Sequence, residues 1–95
     1  LKIVFSLIEN STTTLVLDAD ALNCVAKQPE ILLRKKAPII ITPHPGEMSR
    51  LTGLATPLVN AERERVALDF AQKYGVVTVL KGAGTVIASP NGRCL

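Results

Sequence analysis

Short apolar runs alternate with amphipathic segments along the chain. The apolar runs are β-branched or aliphatic and predict buried strands at 14–17, 38–42, 76–80 and 85–88. The segments between them predict helices at 1–9, 21–27, 30–36, 47–51 and 60–74. Strands that alternate with helices indicate an α/β fold with a parallel sheet. The three isoleucines at 39–41 leave no polar face, so both faces of that strand are expected to be covered.

The clearest helix pattern follows a loop predicted at 54–59. Asn60 is the expected N-cap, and Gly75 is the expected terminator beyond the last turn. Asp69 and Lys73 are spaced to pair on the exposed side. The apolar stripe of this helix consists of Val66, Ala67, Phe70, Ala71 and Tyr74.

Length and composition limit the classes of function that the chain can have. Ninety-five residues allow one small domain, and 3% aromatic content requires an aliphatic core. The net charge of +3 is spread along the chain, apart from Arg34-Lys35-Lys36, which we expect to be a solvated helix end. Basic and aromatic residues do not interleave, so nucleic acid is not an expected partner. An excess of basic over acidic residues is typical of a protein that binds anionic small molecules.

The two cysteines and the apolar segments indicate the cell compartment. Cys24 and Cys94 lack metal-ligand spacing and are expected to be reduced, buried thiols of a cytoplasmic protein. No run approaches the roughly 18 apolar residues that span a membrane. Residues 1–8 lack the basic region and the cleavage site of a signal peptide. The chain also lacks an initiator Met, and we expect it to be cut at both ends.

Three successive strands each end in a polar cluster. The clusters are 18–23 (DADALN), 42–47 (TPHPGE) and 81–85 (KGAGT). Ligands of open parallel sheets bind outside the carboxyl ends of the strands. If these strands are neighbours, the three clusters line one edge of the sheet, and this convergence predicts a binding site.

Each cluster also has a structural interpretation. Asp18 and Asp20 could cap the next helix or lie near a phosphate-bound metal, and Asn23 is expected to form local hydrogen bonds. His44, fixed between two prolines, is read as a binding residue. Glu47 lies in a first helical turn, where the helix dipole favours a carboxylate, or it contacts Mg²⁺ through water. Lys81 with its neighbouring glycines suits either phosphate or a tight turn.

These clusters, in this order, resemble a known family. The matching stretches are 16–23 (VLDADALN), 41–51 (ITPHPGEMSRL) and 79–88 (VLKGAGTVIA). They are similar to those of the ADP/ATP-dependent NAD(P)H-hydrate dehydratases, which are carbohydrate kinase-like members of the ribokinase superfamily. Sugar kinases usually carry Asn-x-x-Glu at the middle stretch, and His44 stands in place of their Asn.

The resemblance implies a fold, an activity and a set of site residues. The fold would be a ribokinase-like three-layer α-β-α domain with a mainly parallel sheet, and residues 1–95 its central part. The activity would be dehydration of the S epimer of hydrated NADH or NADPH. It would proceed through phosphorylation of the hydroxyl by ADP or ATP with Mg²⁺ and elimination of phosphate. The implied substrate-binding residues are His44, Pro45, Gly46, Glu47, Met48, Ser49 and Arg50. The implied nucleotide-binding residues are Lys81, Gly82, Ala83, Gly84 and Thr85, and Glu47 would contact the metal through water.

The chain departs from the family in two respects, and the first is that the family's early glycine-rich substrate loop is absent from residues 1–95. The glycine-rich anion hole, Gly-Thr-Gly-Asp, contains the family's catalytic aspartate and is expected beyond Leu95, so residues 1–95 contain no catalytic residue and are expected to be inactive alone. Two other hypotheses stay open: a small-molecule kinase of the same superfamily, and a non-catalytic fragment that only binds nucleotide or a partner subunit. Assembly into a homo-oligomer is a further open alternative, because exposed sheet edges need covering.

Overall fold

The computed structural model describes residues 2–95 as a sheet of four strands packed against helices. The strand order is β1-β2-β3-β4, with β1, β2 and β3 parallel and β4 antiparallel to β3. A 3₁₀ helix, Pro29–Arg34, lies between α2 and β2. The remaining elements are α1 (Lys2–Asn10), β1 (Leu15–Leu17), α2 (Ala19–Ala26), β2 (Ile39–Ile41), α3 (Pro45–Thr52), α4 (Thr56–Ala61), α5 (Arg63–Tyr74), β3 (Val77–Leu80) and β4 (Val86–Ala88).

The core lies on one face of the sheet. Parallel strands in sequential order need right-handed crossovers, and these place the connecting helices on the same side. The side chains that alternate toward this side are buried, among them Leu17, Ile39, Ile41 and Leu80. The predicted stripe of α5 is buried at all five positions. The α/β order and the mainly parallel sheet predicted from the pattern are confirmed.

The opposite face of the sheet is open within residues 2–95. Val16 and Ile87 are exposed, and Ile40 and the intervening positions of β3 are half-buried. The expectation that both faces of the isoleucine strand would be covered was therefore wrong for these residues. Covering the second face requires elements other than the helices described here.

Two predicted boundaries around residue 60 were wrong. The segment predicted as a loop contains α4, with Pro57 in its first turn, where a missing N–H costs nothing, and Val59 buried. Asn60 is therefore inside α4, and Glu62 takes the N-cap position of α5. Asp69 pairs with Arg65 at 4.0 Å, rather than with Lys73 as the spacing predicted. Gly75 ends α5 in the left-handed conformation, as predicted.

Three further predictions need correction. The helix predicted at 30–36 is the 3₁₀ helix, and it ends at Arg34 because Lys35 is already extended, with φ of −63° and ψ of 147°, on the way to β2. Lys35 is not a solvated cation: its Nζ donates to the carbonyl oxygens of Leu32 at 3.3 Å and Tyr74 at 2.9 Å, and so caps α5. Cys24 and Cys94 are free thiols, as predicted, but each is only partly buried.

Candidate functional site

The carboxyl ends of β1, β2 and β3 lie side by side and are joined by backbone hydrogen bonds. The Thr42 N–H donates to the Leu17 carbonyl oxygen at 3.1 Å. The Lys81 N–H donates to the Pro43 carbonyl oxygen at 2.9 Å. The three polar clusters predicted from the sequence therefore meet at one edge of the sheet, which we call the rim: residues 18–23, 42–50 and 81–85.

His44 and Glu47 form a reciprocal cap at the start of α3. The Glu47 N–H donates to His44 Nδ1 at 3.2 Å, and the His44 N–H donates to Glu47 Oε1 at 3.0 Å. Because Nδ1 accepts, the imidazole proton lies on Nε2, which is 3.5 Å from Glu47 Oε2. The cap fixes the ring orientation, and the His44 side chain stays 54% exposed at the rim. Structural and binding roles are thus compatible at His44.

Glu47 is the buried carboxylate of the rim, with only 6% of the residue exposed. Both of its oxygens face His44, and its position in the first turn of α3 adds a favourable interaction with the helix dipole. Within residues 2–95 no group of three His, Cys, Asp or Glu side chains could hold a metal.

The other residues of the predicted substrate-binding segment differ in accessibility. Pro45 and Gly46 form the first turn of α3, which begins before the predicted residue 47, and a Cβ on Gly46 would lie 3.0 Å from the imidazole Cε1 of His44. The Met48 side chain is fully buried in the core. Ser49 Oγ donates to the Leu54 carbonyl oxygen at 2.6 Å.

Arg50 joins α3 to α2 at the exposed end of the rim. Its Nη1 donates to Asn23 Oδ1 at 3.1 Å, so Asn23 bonds across the rim and not locally as expected. Because Asn23 and Arg50 are 27 residues apart, sequence spacing could not reveal this bond.

The aspartates of the first cluster are exposed and unbonded within the described part of the chain. Asp18 occupies the N-cap position of α2, but its side chain forms no cap hydrogen bond. Asp20 lies in the first turn of that helix, and Ala19 between them has φ of 41°, in the left-handed region. Such a backbone is strained for a residue with a Cβ, and strain of this kind clusters at functional sites.

The Lys81–Thr85 segment, which we call the glycine loop, lies exposed between β3 and β4. Gly82 and Gly84 have φ of 130° and 77°, so both positions favour glycine. Among residues 2–95, the backbone N–H groups of 82–84 find no hydrogen-bond acceptor, and residues 83–84 form a turn between Gly82 and Thr85. Unpaired N–H groups in succession, beside a lysine, form a concave donor set of the type that binds anions.

Sequence reasoning missed Arg63. Its guanidinium donates to the carbonyl oxygens of Leu80, Lys81 and Gly84, all within 3.1 Å, and to Asn60 Oδ1 at 3.1 Å. The available signal was a cation in the first turn of a helix, where the dipole disfavours positive charge. A cation at such a position is therefore expected to have hydrogen-bond partners in another part of the chain.

Cys94 borders the same region, and the pKa of its thiol is raised. Desolvation by its surroundings and, as a smaller cause, the Glu64 carboxylate raise the pKa of the Cys94 thiol. The thiol therefore stays protonated, and the thiolate is the reactive form. A hollow of about 710 Å³ lies beside Cys94, Gly84 and Arg63. A smaller groove of about 430 Å³, lined by Leu54, Leu58 and Tyr74, lies elsewhere, away from the rim.

No helix within residues 2–95 has the length and apolar character needed to cross a membrane.

The sheet and its rim define a class of protein. The topology matches solved structures of the carbohydrate kinase-like, ribokinase-like fold, and the described residues form part of that domain. A Bacillus subtilis ADP/ATP-dependent NAD(P)H-hydrate dehydratase, co-crystallised with ATP/Mg²⁺ and soaked with CoA, superposes with a TM-score of 0.77 at 38% identity. The match covers 92% of this chain and 30% of that one.

The family follows from the sequence comparison. The family model described as NAD(P)H-hydrate dehydratase matches residues 1–95, and the chain belongs to that family. A bifunctional NAD(P)H-hydrate repair enzyme of Thermofilum pendens is 45% identical over 93 residues, which is 98% of this chain and 18% of the relative. An ADP-dependent (S)-NAD(P)H-hydrate dehydratase of Bacillus subtilis is 43% identical over 61 residues, 64% of this chain and 22% of the relative. The chain thus spans less than a third of each of these relatives.

Proposed function

We propose that the complete protein carrying these residues dehydrates the S epimer of hydrated NADH and NADPH at the expense of ADP or ATP. The nucleotide would phosphorylate the hydroxyl of the hydrated ring, and loss of phosphate with a neighbouring proton would restore the reduced nicotinamide. Family membership and the names of the relatives support the reaction. The reacting groups that move protons are not assigned to residues 2–95.

The glycine loop is the observation that carries the proposal. Its free N–H groups and the Lys81 side chain offer hydrogen-bond donors and positive charge for nucleotide phosphates. The Lys81 N–H to Pro43 bond holds this loop directly beside His44. Phosphoryl transfer depends mainly on the positioning of the two reactants and on stabilisation of charge. Adjacent sites for the phosphoryl donor and the acceptor would position the two reactants.

The remaining parts of the proposal concern ligands and partners. The segment His44–Arg50 would bind the hydrated nicotinamide nucleotide, and the exposed imidazole edge of His44 and the guanidinium of Arg50 are its polar groups at the rim. Mg²⁺ is expected from the ATP/Mg²⁺ crystals of a relative. The cytoplasm is the expected compartment.

The test is an assay of the complete protein with hydrated NADH, Mg²⁺ and either ADP or ATP. Return of the reduced-nicotinamide absorbance should require the nucleotide and identify the phosphoryl donor. Lys81→Met should raise the KM for nucleotide about tenfold, because a charged hydrogen bond to phosphate is lost. Lys36→Met, at an exposed lysine before β2, is the matched control and should leave this KM unchanged.

Two outcomes would reject the proposal. Nucleotide binding without recovery of absorbance, with a phosphorylated product accumulating, would identify a small-molecule kinase. Nucleotide binding with neither product would identify a protein that only binds nucleotide. Residues 1–95 produced alone should show no turnover, because the family's catalytic aspartate is not among them.

A further inference from the structure

Arg63 binds the glycine loop from the side opposite to β2. One guanidinium spans both ends of the loop: Nη2 donates to the carbonyl oxygens of Leu80 at 3.1 Å and Lys81 at 2.9 Å, and Nε donates to that of Gly84 at 3.1 Å. Nη1 donates to Asn60 Oδ1 at 3.1 Å and so fixes the guanidinium to the end of α4. No carboxylate within residues 2–95 lies within salt-bridge distance of Arg63.

These bonds set the direction of the loop N–H groups. In a planar trans peptide the N–H points away from the carbonyl of the same unit. Because Arg63 holds the Leu80, Lys81 and Gly84 carbonyls, the N–H groups of the following residues, 81, 82 and 85, point away from the guanidinium. The first of them donates to the Pro43 carbonyl oxygen at 2.9 Å, which shows that this direction leads toward the rim. Of the other two, the N–H group of Gly82 is free to bind a ligand, whereas Thr85 closes the turn at 83–84.

The middle of the loop also packs on the guanidinium. A Cβ built on Gly82 would lie 3.2 Å from Nη2 and 3.3 Å from Nη1 of Arg63, closer than ordinary contact. Thr85 Oγ1 donates to the Gly82 carbonyl oxygen at 3.3 Å and closes the loop. A side chain at Gly82 would require the guanidinium to shift by a few tenths of an ångström and would strain the backbone at φ of 130°, so the close packing depends on glycine.

We infer that Arg63 is a positioning residue for nucleotide: it turns the glycine-loop carbonyls away from the rim so that the loop N–H groups face the phosphates. The inference rests on the proposed function. Arg63 itself does not touch the nucleotide, because its donors are already directed at the loop and at Asn60. Its charge lies at the helix N-terminus against the dipole, a cost that its bonds to the loop offset.

The test compares Arg63→Lys with Arg65→Lys in the complete protein. Lysine keeps the charge but cannot make the fork of bonds, so Arg63→Lys should release the loop. Arg65 is exposed on the same helix and pairs only with Asp69, so Arg65→Lys is the matched control. The first readout is amide exchange of Lys81, whose N–H donates to the Pro43 carbonyl oxygen, without nucleotide, and the second is binding of ADP with Mg²⁺ by calorimetry.

The expected result is faster exchange at Lys81 and a Kd for ADP raised about tenfold in Arg63→Lys, with the KM for the hydrated nucleotide within about twofold of wild type. Arg63→Gln, which retains two donors on one nitrogen, should behave like Arg63→Lys. A purely structural role would instead lower the melting temperature and change both substrate constants together.

The outcomes separate this inference from the proposed function. Wild-type binding of ADP in Arg63→Lys would overturn the inference and leave the function intact. A wild-type protein that binds neither ADP nor ATP would reject the function and the nucleotide part of the inference. The exchange data would then still decide whether Arg63 holds the loop.

Discussion

His44 shows how one residue can serve both stability and binding. Its Nδ1 caps α3 while its other ring edge is exposed at the rim. A loss of stability in a His44 variant and a loss of substrate binding therefore have different causes and can be measured separately.

Replacing His44 with Ala and with Asn separates the two roles. His44→Ala removes the cap acceptor and should lower the free energy of unfolding by about 1 kcal/mol, whereas His44→Asn supplies a good N-cap and should retain most of it. If the imidazole binds the hydrated nucleotide, both variants should raise its KM. Urea unfolding and steady-state kinetics of the complete protein measure the two effects. Equal destabilisation by both changes would contradict the capping role.

At the scale of secondary-structure elements, two helices end at a glycine with a left-handed backbone conformation. Gly53 ends α3 and Gly75 ends α5, with φ of 78° and 67°. Both are left-handed positions, but their surroundings differ. Nothing lies within 4 Å of a Cβ built on Gly53, whereas a Cβ on Gly75 would lie 2.9 Å from Lys35 Nζ.

Alanine at these two glycines should therefore cost different amounts. Gly53→Ala should destabilise by about 1 kcal/mol through backbone strain alone. Gly75→Ala should cost about 1 kcal/mol more, because Lys35 Nζ must move and lose its bond to the Tyr74 carbonyl oxygen. Denaturant unfolding measures both.

A double-mutant cycle checks the cause of the difference. In a Lys35→Met background the bond to Tyr74 is already absent, so the extra cost of Gly75→Ala over Gly53→Ala should largely disappear. An extra cost that persists in this background would assign the difference to the backbone of α5 and not to Lys35.

At the scale of the whole molecule, the main feature is the face of the sheet that is open within residues 2–95. Val16 and Ile87 are 63% and 41% exposed, and Ile40 and Val79 between them are half-buried. An apolar surface of this kind is a site of association.

Residues 1–95 produced alone should self-associate through this face. Sedimentation should show concentration-dependent association, because burial of the exposed valine and isoleucines stabilises the contact. The double variant Val16→Thr/Ile87→Thr keeps β-branching and should weaken association. Leu33→Thr, at an apolar position 58% exposed outside the sheet, is the control and should leave it unchanged. A monomer at all concentrations would contradict this expectation.

The sequence by itself determined the element order, the buried stripe of α5 and the three polar clusters. These are local properties: the spacing of apolar side chains reports the period of a helix or strand, and polar residues mark where a strand ends. Because parallel neighbours end at the same edge, the clusters could be expected to converge. The boundaries near Asn60 failed because proline is tolerated in the first turn of a helix, so the local signal was ambiguous.

Only the tertiary structure determined the hydrogen-bond partners of the polar side chains. Arg50 reaches Asn23, Lys35 reaches the end of α5, and Arg63 reaches the glycine loop, at separations of 17 to 39 residues. A long cationic side chain has many donors and little local preference, so its partners depend on which segments the folded chain brings near. Whether the second face of the sheet is covered also depends on the tertiary structure. A run of isoleucines is equally apolar whichever layer covers it, so the sequence of β2 does not reveal the covering element.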